Sequence, residues 1–79
     1  MIRARVTGSV TATVKEAPLV GLKLMRCTPE GDGPELVAVD VVGAGQGDTV
    51  LIATGSAARI PAKTSGAPVD ATIVAIVDA

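Results

Sequence analysis

The chain has 79 residues, 48% of them hydrophobic, with a formal net charge of −1, one cysteine and no histidine. A chain this short hides only about 60% of its unfolded surface in a single core, which rules out a second domain and leaves a lone subunit marginal. One thiol, Cys27, excludes a disulfide framework, and Cys27 with scattered carboxylates matches no zinc or iron–sulfur spacing, so oligomerisation is the remaining route to stability.

The apolar mass is Val, Ala, Ile and Leu, because Phe, Trp and Tyr are absent. Without aromatic rings there is no platform on which bases stack, and without His the commonest general base is missing. Nucleic-acid binding and acid–base catalysis are therefore disfavoured, and no cofactor or metal is expected. Met1-Ile2-Arg3-Ala4-Arg5 is not the start of a signal peptide, and no run approaches 18 apolar residues, so the chain reads as cytosolic with no membrane partner. The small net charge hides an asymmetry. Residues 1–28 carry Arg3, Arg5, Lys15, Lys23 and Arg26 against Glu16, a local +4, while residues 29–79 carry Arg59 and Lys63 against seven acids, a local −5. Identical subunits meeting basic face to acidic face would do so head to tail, as in a ring or filament.

From Ile2 to Val14 apolar or Gly residues occupy every even position and polar ones every odd position, the period-two pattern of a long strand with one face inward. Gly8, expected on the inward face, lets this strand bend and serve two sides of a barrel. Pro18 and Gly21 mark a loop over 15–21, Leu22 to Thr28 reads as a second strand, and Pro29-Glu30-Gly31-Asp32-Gly33-Pro34 as a charged turn. Leu36 to Val42 and Asp48 to Thr54 are the third and fourth strands. Ser56 is a candidate N-cap, with Pro61 limiting the following helix to one or two turns, and Ala71 to Val77 is the fifth strand. The expectation is an all-β fold: a small five-stranded OB-like barrel with one short helix between strands 4 and 5, occupying residues 1–79 as one domain.

Two features stand out from this pattern. Gly43-Ala44-Gly45-Gln46-Gly47-Asp48 places three alternate glycines in one connection, which implies positive φ or close approach. A phosphate cradle would need a following helix, whereas a strand follows here, so the loop reads as a tight strand connection, open to packing against its own copies around a symmetry axis. Asp40 interrupts the third strand just before this loop, and Asp70 and Asp78 bracket the last strand. With no nucleophile or His nearby, such carboxylates read as caps on loop N–H groups. Cys27 reads as a small hydrophobe near a strand end.

Taken in order, Val6-Thr7-Gly8-Ser9-Val10, Leu19-Val20-Gly21-Leu22-Lys23-Leu24, Asp40 with Gly43-Ala44-Gly45-Gln46-Gly47-Asp48, Gly55-Ser56-Ala57-Ala58-Arg59 and the ending Val69-Asp70-Ala71-Thr72-Ile73-Val74-Ala75-Ile76-Val77-Asp78 resemble the bacterial microcompartment vertex proteins, the EutN/CcmL family. The resemblance covers essentially the whole chain. It implies a non-enzymatic protein whose homopentamers plug the vertices of a polyhedral shell in the bacterial cytoplasm, beside hexameric shell proteins. It also implies that residues 43–48 lie near the five-fold axis, lining a narrow opening. Many family members continue beyond the position of Ala79, so no role for a tail is carried over. The rival that architecture alone leaves open is a small OB-type nucleic-acid-binding module.

Overall fold

Short β-branched and Ala-rich segments build five strands in the computed structural model, which describes residues 1–78, with exposure alternating along β2 and the first half of β1. These are β1 (Ile2–Val10), β2 (Lys23–Pro29), β3 (Leu36–Asp40), β4 (Thr49–Thr54) and β5 (Ala71–Ile76). They close into a barrel in the order β1-β2-β3-β5-β4, with β4 returning to β1. All pairings are antiparallel except that of β3 with β5. The architecture is the five-stranded, OB-like barrel expected from the sequence.

The lumen is filled by small side chains. Ala4 and Val6 of β1, Met25 and Cys27 of β2, Ala38 of β3, Val50 and Ile52 of β4, and Ala71 and Ile73 of β5 form one buried cluster with Ala44 from the glycine loop. A five-stranded barrel is too narrow for aromatic rings packed from every strand, so an aromatic-free composition matches its bore. Cys27 is fully buried, and burial raises its thiol pKa, with Asp40 and Glu35 adding to the rise, so it stays a protonated apolar group.

β1 bends as anticipated but for a different local reason. Its first residues pair with β4 over Ile2–Arg5, and its length from Ala4 to Val10 pairs with β2. Val6 faces Cys27 and Gly8 faces Arg26, which makes Thr7 the extra residue of a bulge. The bulge reverses the strand's phase, so Gly8 shares the outer face with Arg26 and does not point inward. Arg26 Nε donates to Thr7 Oγ1 at 3.2 Å, and the Thr7 hydroxyl donates to the Arg26 carbonyl at 3.1 Å. A Cβ on Gly8 would lie 3.0 Å from Arg26 Nη2, so the glycine leaves room for the guanidinium.

Other boundaries also shift. β1 ends at Val10, opposite Leu24, and not at Val14, which is 92% exposed. Alternation continues through residues 11–14 without a neighbouring strand to use it. In place of one short helix between β4 and β5 there are two 3-10 turns, Gly55–Arg59 and Ala62–Thr64. Pro61 between them lacks an amide to continue a helical ladder. The N-cap position is Thr54 rather than Ser56, and no side chain caps it. The segment is held instead by two buried hydroxyls, Thr64 and Thr72, each donating to the Ala58 carbonyl at 2.7 Å. A further 3-10 turn, Ala17–Leu19, lies in the loop before β2.

Strand pairing also mixes the two charge halves. Arg3 pairs with Glu30 at 3.0 Å, Arg26 with Glu35 at 3.7 Å and Lys23 with Asp40 at 3.3 Å. Three of the five bases in the basic half are thus matched within their own subunit, which reduces the charge left for a basic-to-acidic contact between copies.

Replacing a fully buried lumen residue should open a cavity that small neighbours cannot refill. Ile52→Ala should cost about 2 to 5 kcal/mol, read by denaturant unfolding at fixed protein concentration. An unchanged midpoint would contradict the packed-lumen description.

Candidate functional site

The loop between β3 and β4 is built as a plug for one end of the barrel. Ala44 enters the core and is fully buried, while Gly43, Gln46 and Gly47 remain exposed. Two carboxylates shape the loop. Asp40, at the end of β3, is almost wholly buried, and its Oδ1 accepts from the amides of Val42 at 3.0 Å and Gly43 at 3.2 Å. Asp48 Oδ2 accepts from the Gly45 amide at 2.8 Å, while the Asp48 amide donates to the Gly45 carbonyl at 3.1 Å.

The loop is also fastened to β1. The Gly47 amide donates to the Val6 carbonyl at 2.8 Å, and the Val6 amide donates to the Asp48 carbonyl at 2.9 Å. Gly47 and Asp48 together face Val6, a bulge whose first residue is a glycine at φ +93. Gly43 is at φ +83, so the positive-φ positions are the first and third glycines. Gly45 has none, and a Cβ there would meet Asp48 Oδ2 only at 4.0 Å.

Lys23 completes the clasp, a role that the sequence alone did not reveal. It lies directly opposite Asp40 in the β2–β3 register. Its Nζ sits 3.3 Å from Asp40 Oδ2 and donates to the Ala44 carbonyl at 2.6 Å. One half-exposed ammonium therefore joins the end of β3 to the plug residue. Burial pushes the Asp40 pKa up, but donation from loop amides, that of Val42 first, together with Lys23 outweighs it, leaving the carboxyl below its ordinary value. Lys23 and Asp40 also wall a solvent-open cleft of about 410 Å³ whose lining includes Lys63. Asp70 and Asp78 are exposed, and Asp70 acts through its backbone carbonyl, which accepts from the Gly55 amide at 2.9 Å. The arrangement around Asp40 is a structural clasp: its carboxylate is spent on loop amides and one ammonium.

The family model described as ethanolamine utilisation protein EutN/carboxysome matches residues 1–78. The chain belongs to the EutN/CcmL family. Among curated members, it is 45% identical over 80 residues to the carboxysome shell vertex protein CcmL of Thermosynechococcus vestitus, covering 95% of this chain and 81% of that protein. It is 42% identical over 84 residues to the microcompartment shell vertex protein PduN of Salmonella typhimurium, covering 95% and 92%. The solved structure of Nostoc CcmL superposes with a TM-score of 0.94 at 40% identity, covering 99% of this chain and 88% of that one. The pentameric microcompartment shell protein GrpN of Rhodospirillum rubrum superposes with a TM-score of 0.88 at 37% identity, covering 100% and 94%.

Two predictions follow from the clasp. Because Asp40 is lowered from 3.8, its contribution to stability is complete above that value and is lost as pH falls below it toward the folded-state value. The stability gap between the parent and Asp40→Asn, measured by denaturant unfolding, should therefore narrow as pH falls from about 6 to about 2.5. A constant gap would refute the charged role. Gly47→Ala should cost about 1 to 2 kcal/mol, whereas Gly45→Ala should stay within about 0.5 kcal/mol of the parent. Equal costs for the two would refute the φ assignments.

Proposed function

We propose that residues 1–79 form one vertex domain whose homopentamers occupy the five-fold positions of a polyhedral bacterial microcompartment shell in the cytoplasm, beside hexameric shell proteins. The observation that carries this reading is the match along residues 1–78, in sequence and barrel geometry, to proteins that are themselves shell vertex proteins, one of them pentameric. The role is geometric rather than catalytic. Hexagonal tiles alone pave flat or tubular sheets, and closing a polyhedron requires five-fold positions. A packed lumen and carboxylates committed to loop amides suit a building block. The relatives compared are shell proteins, which gives no support to the nucleic-acid-binding alternative.

Native mass spectrometry tests the ring directly: the expected species has five times the subunit mass, and a monomer that retards oligonucleotides would overturn the reading. Because Arg3, Lys23 and Arg26 are already paired within the subunit, the five-fold mass should persist from about 50 mM to about 1 M salt. In a host lacking every vertex protein, shells should assemble but stay elongated or open in electron micrographs, while the enclosed enzymes keep full activity after lysis. Normal closed shells, or inactive enzymes in the lysate, would count against a structural role.

Within the ring, we propose that the exposed tip of the glycine loop, Gly43, Gln46 and Gly47, lies near the five-fold axis, a reading that the family resemblance supports. Nitroxide labels at Gln46 should then lie closer together in the pentamer than labels at Ile60, which is 80% exposed. The reverse order would move the axis to the segment around Ile60.

A further inference from the structure

A closed ring of identical subunits requires two different mating faces on each copy, because its contacts run head to tail. At about 800 Å² per partner for a standard contact, two faces occupy about 1,600 Å², roughly a third of the 4650 Å² that the isolated chain exposes. Each contact must therefore take in most of one side of this small barrel. The core of such a contact is depleted in charge.

The outer sides of the barrel differ in this respect. The β1–β2 side carries Arg3, Arg5 and Arg26, with Glu30 and Glu35 engaging two of them. On the adjoining β2–β3 side, Leu24 stands opposite Val39, and Val37 stands opposite Arg26, all on the face away from the buried Met25 and Ala38. Beside them, β3 and β5 share only two residue pairs, Val39 with Thr72 and Asp40 with Ile73. Between β3 and the chain leading into β5 lies a groove of about 150 Å³ lined mainly by apolar residues, Leu19, Leu24, Val37, Val39, Pro68 and Val69, with Ala71 and one carboxylate, the exposed Asp70, completing its wall. Val37 is 48% exposed and Val20, next to Leu19, is 66% exposed.

We infer that this β2–β3 groove is one of the two subunit contacts and is filled by apolar side chains of the next copy in the ring. The inference rests on the pentameric reading and adds to it the face through which the ring closes. It also accounts for two apolar residues, Val20 and Val37, that a free subunit would leave in water.

The test uses the full chain and two pairs of variants. Val37→Asp should raise the dissociation constant of the ring about tenfold or more, whereas Val14→Asp, at a position outside the groove lining, should leave the assembly intact. Circular dichroism checks that both retain the barrel. Val37→Cys and Val14→Cys provide a reading that preserves the fold, because Cys27 is buried and does not compete for a thiol reagent. In the assembled protein a maleimide should modify the thiol at position 37 about tenfold more slowly or less, relative to the one at position 14. Equal labelling rates in an intact five-mer would overturn the contact while leaving the ring standing. A parent chain that runs as a monomer would overturn both.

Discussion

The structure depends on closing five strands around a bore that only small side chains can fill. Ala4, Ala38, Ala44 and Ala71 set its width, and Val6, Val50, Ile52 and Ile73 fill what remains. Because closure pairs every strand on both edges, no strand is left open to template aggregation in a chain this rich in valine. The same narrowness means that, among the described residues, the lumen is filled by the protein's own side chains.

The plug end shows how one buried charge organises a segment with little apolar content. Ala44 could not enter the lumen unless the backbone turned sharply on either side of it, and positive φ at Gly43 and Gly47 supplies those turns. Turning leaves amides facing inward. Asp40 and Asp48 accept from them, and Lys23 offsets the Asp40 charge while holding the Ala44 carbonyl. Loop, cap and counter-ion form one unit contributed by β2, β3 and the connection into β4.

Much of the fold was legible because a half-buried strand writes its exposure directly into alternating residues. β1 could be read in this way, the other four strands as apolar runs between turn residues, and the bend in β1 and the tight loop before β4 from their glycines. What could not be read depends on partners. The Thr7 bulge flips the phase of β1 without disturbing the hydrophobic pattern, so Gly8 seemed inward until Arg26 was found opposite it. Residues 11–14 kept the pattern but had no neighbour. Lys23 looked like one more surface base until the register set it against Asp40. The buried hydroxyls of Thr64 and Thr72 converge on Ala58 from separate segments, and nothing in local sequence announces such a meeting.

The order of strands around the barrel bears on how the chain is made. β5 lies between β3 and β4, and it is made after the other four strands. Until it emerges, β3 and β4 each have one unpaired edge and the lumen stays open to water, so a nascent chain can form the β1–β2–β3 meander but cannot finish a core. Barrel closure therefore waits for β5, and the exposed interval is shortest when that strand finds its slot before another chain does.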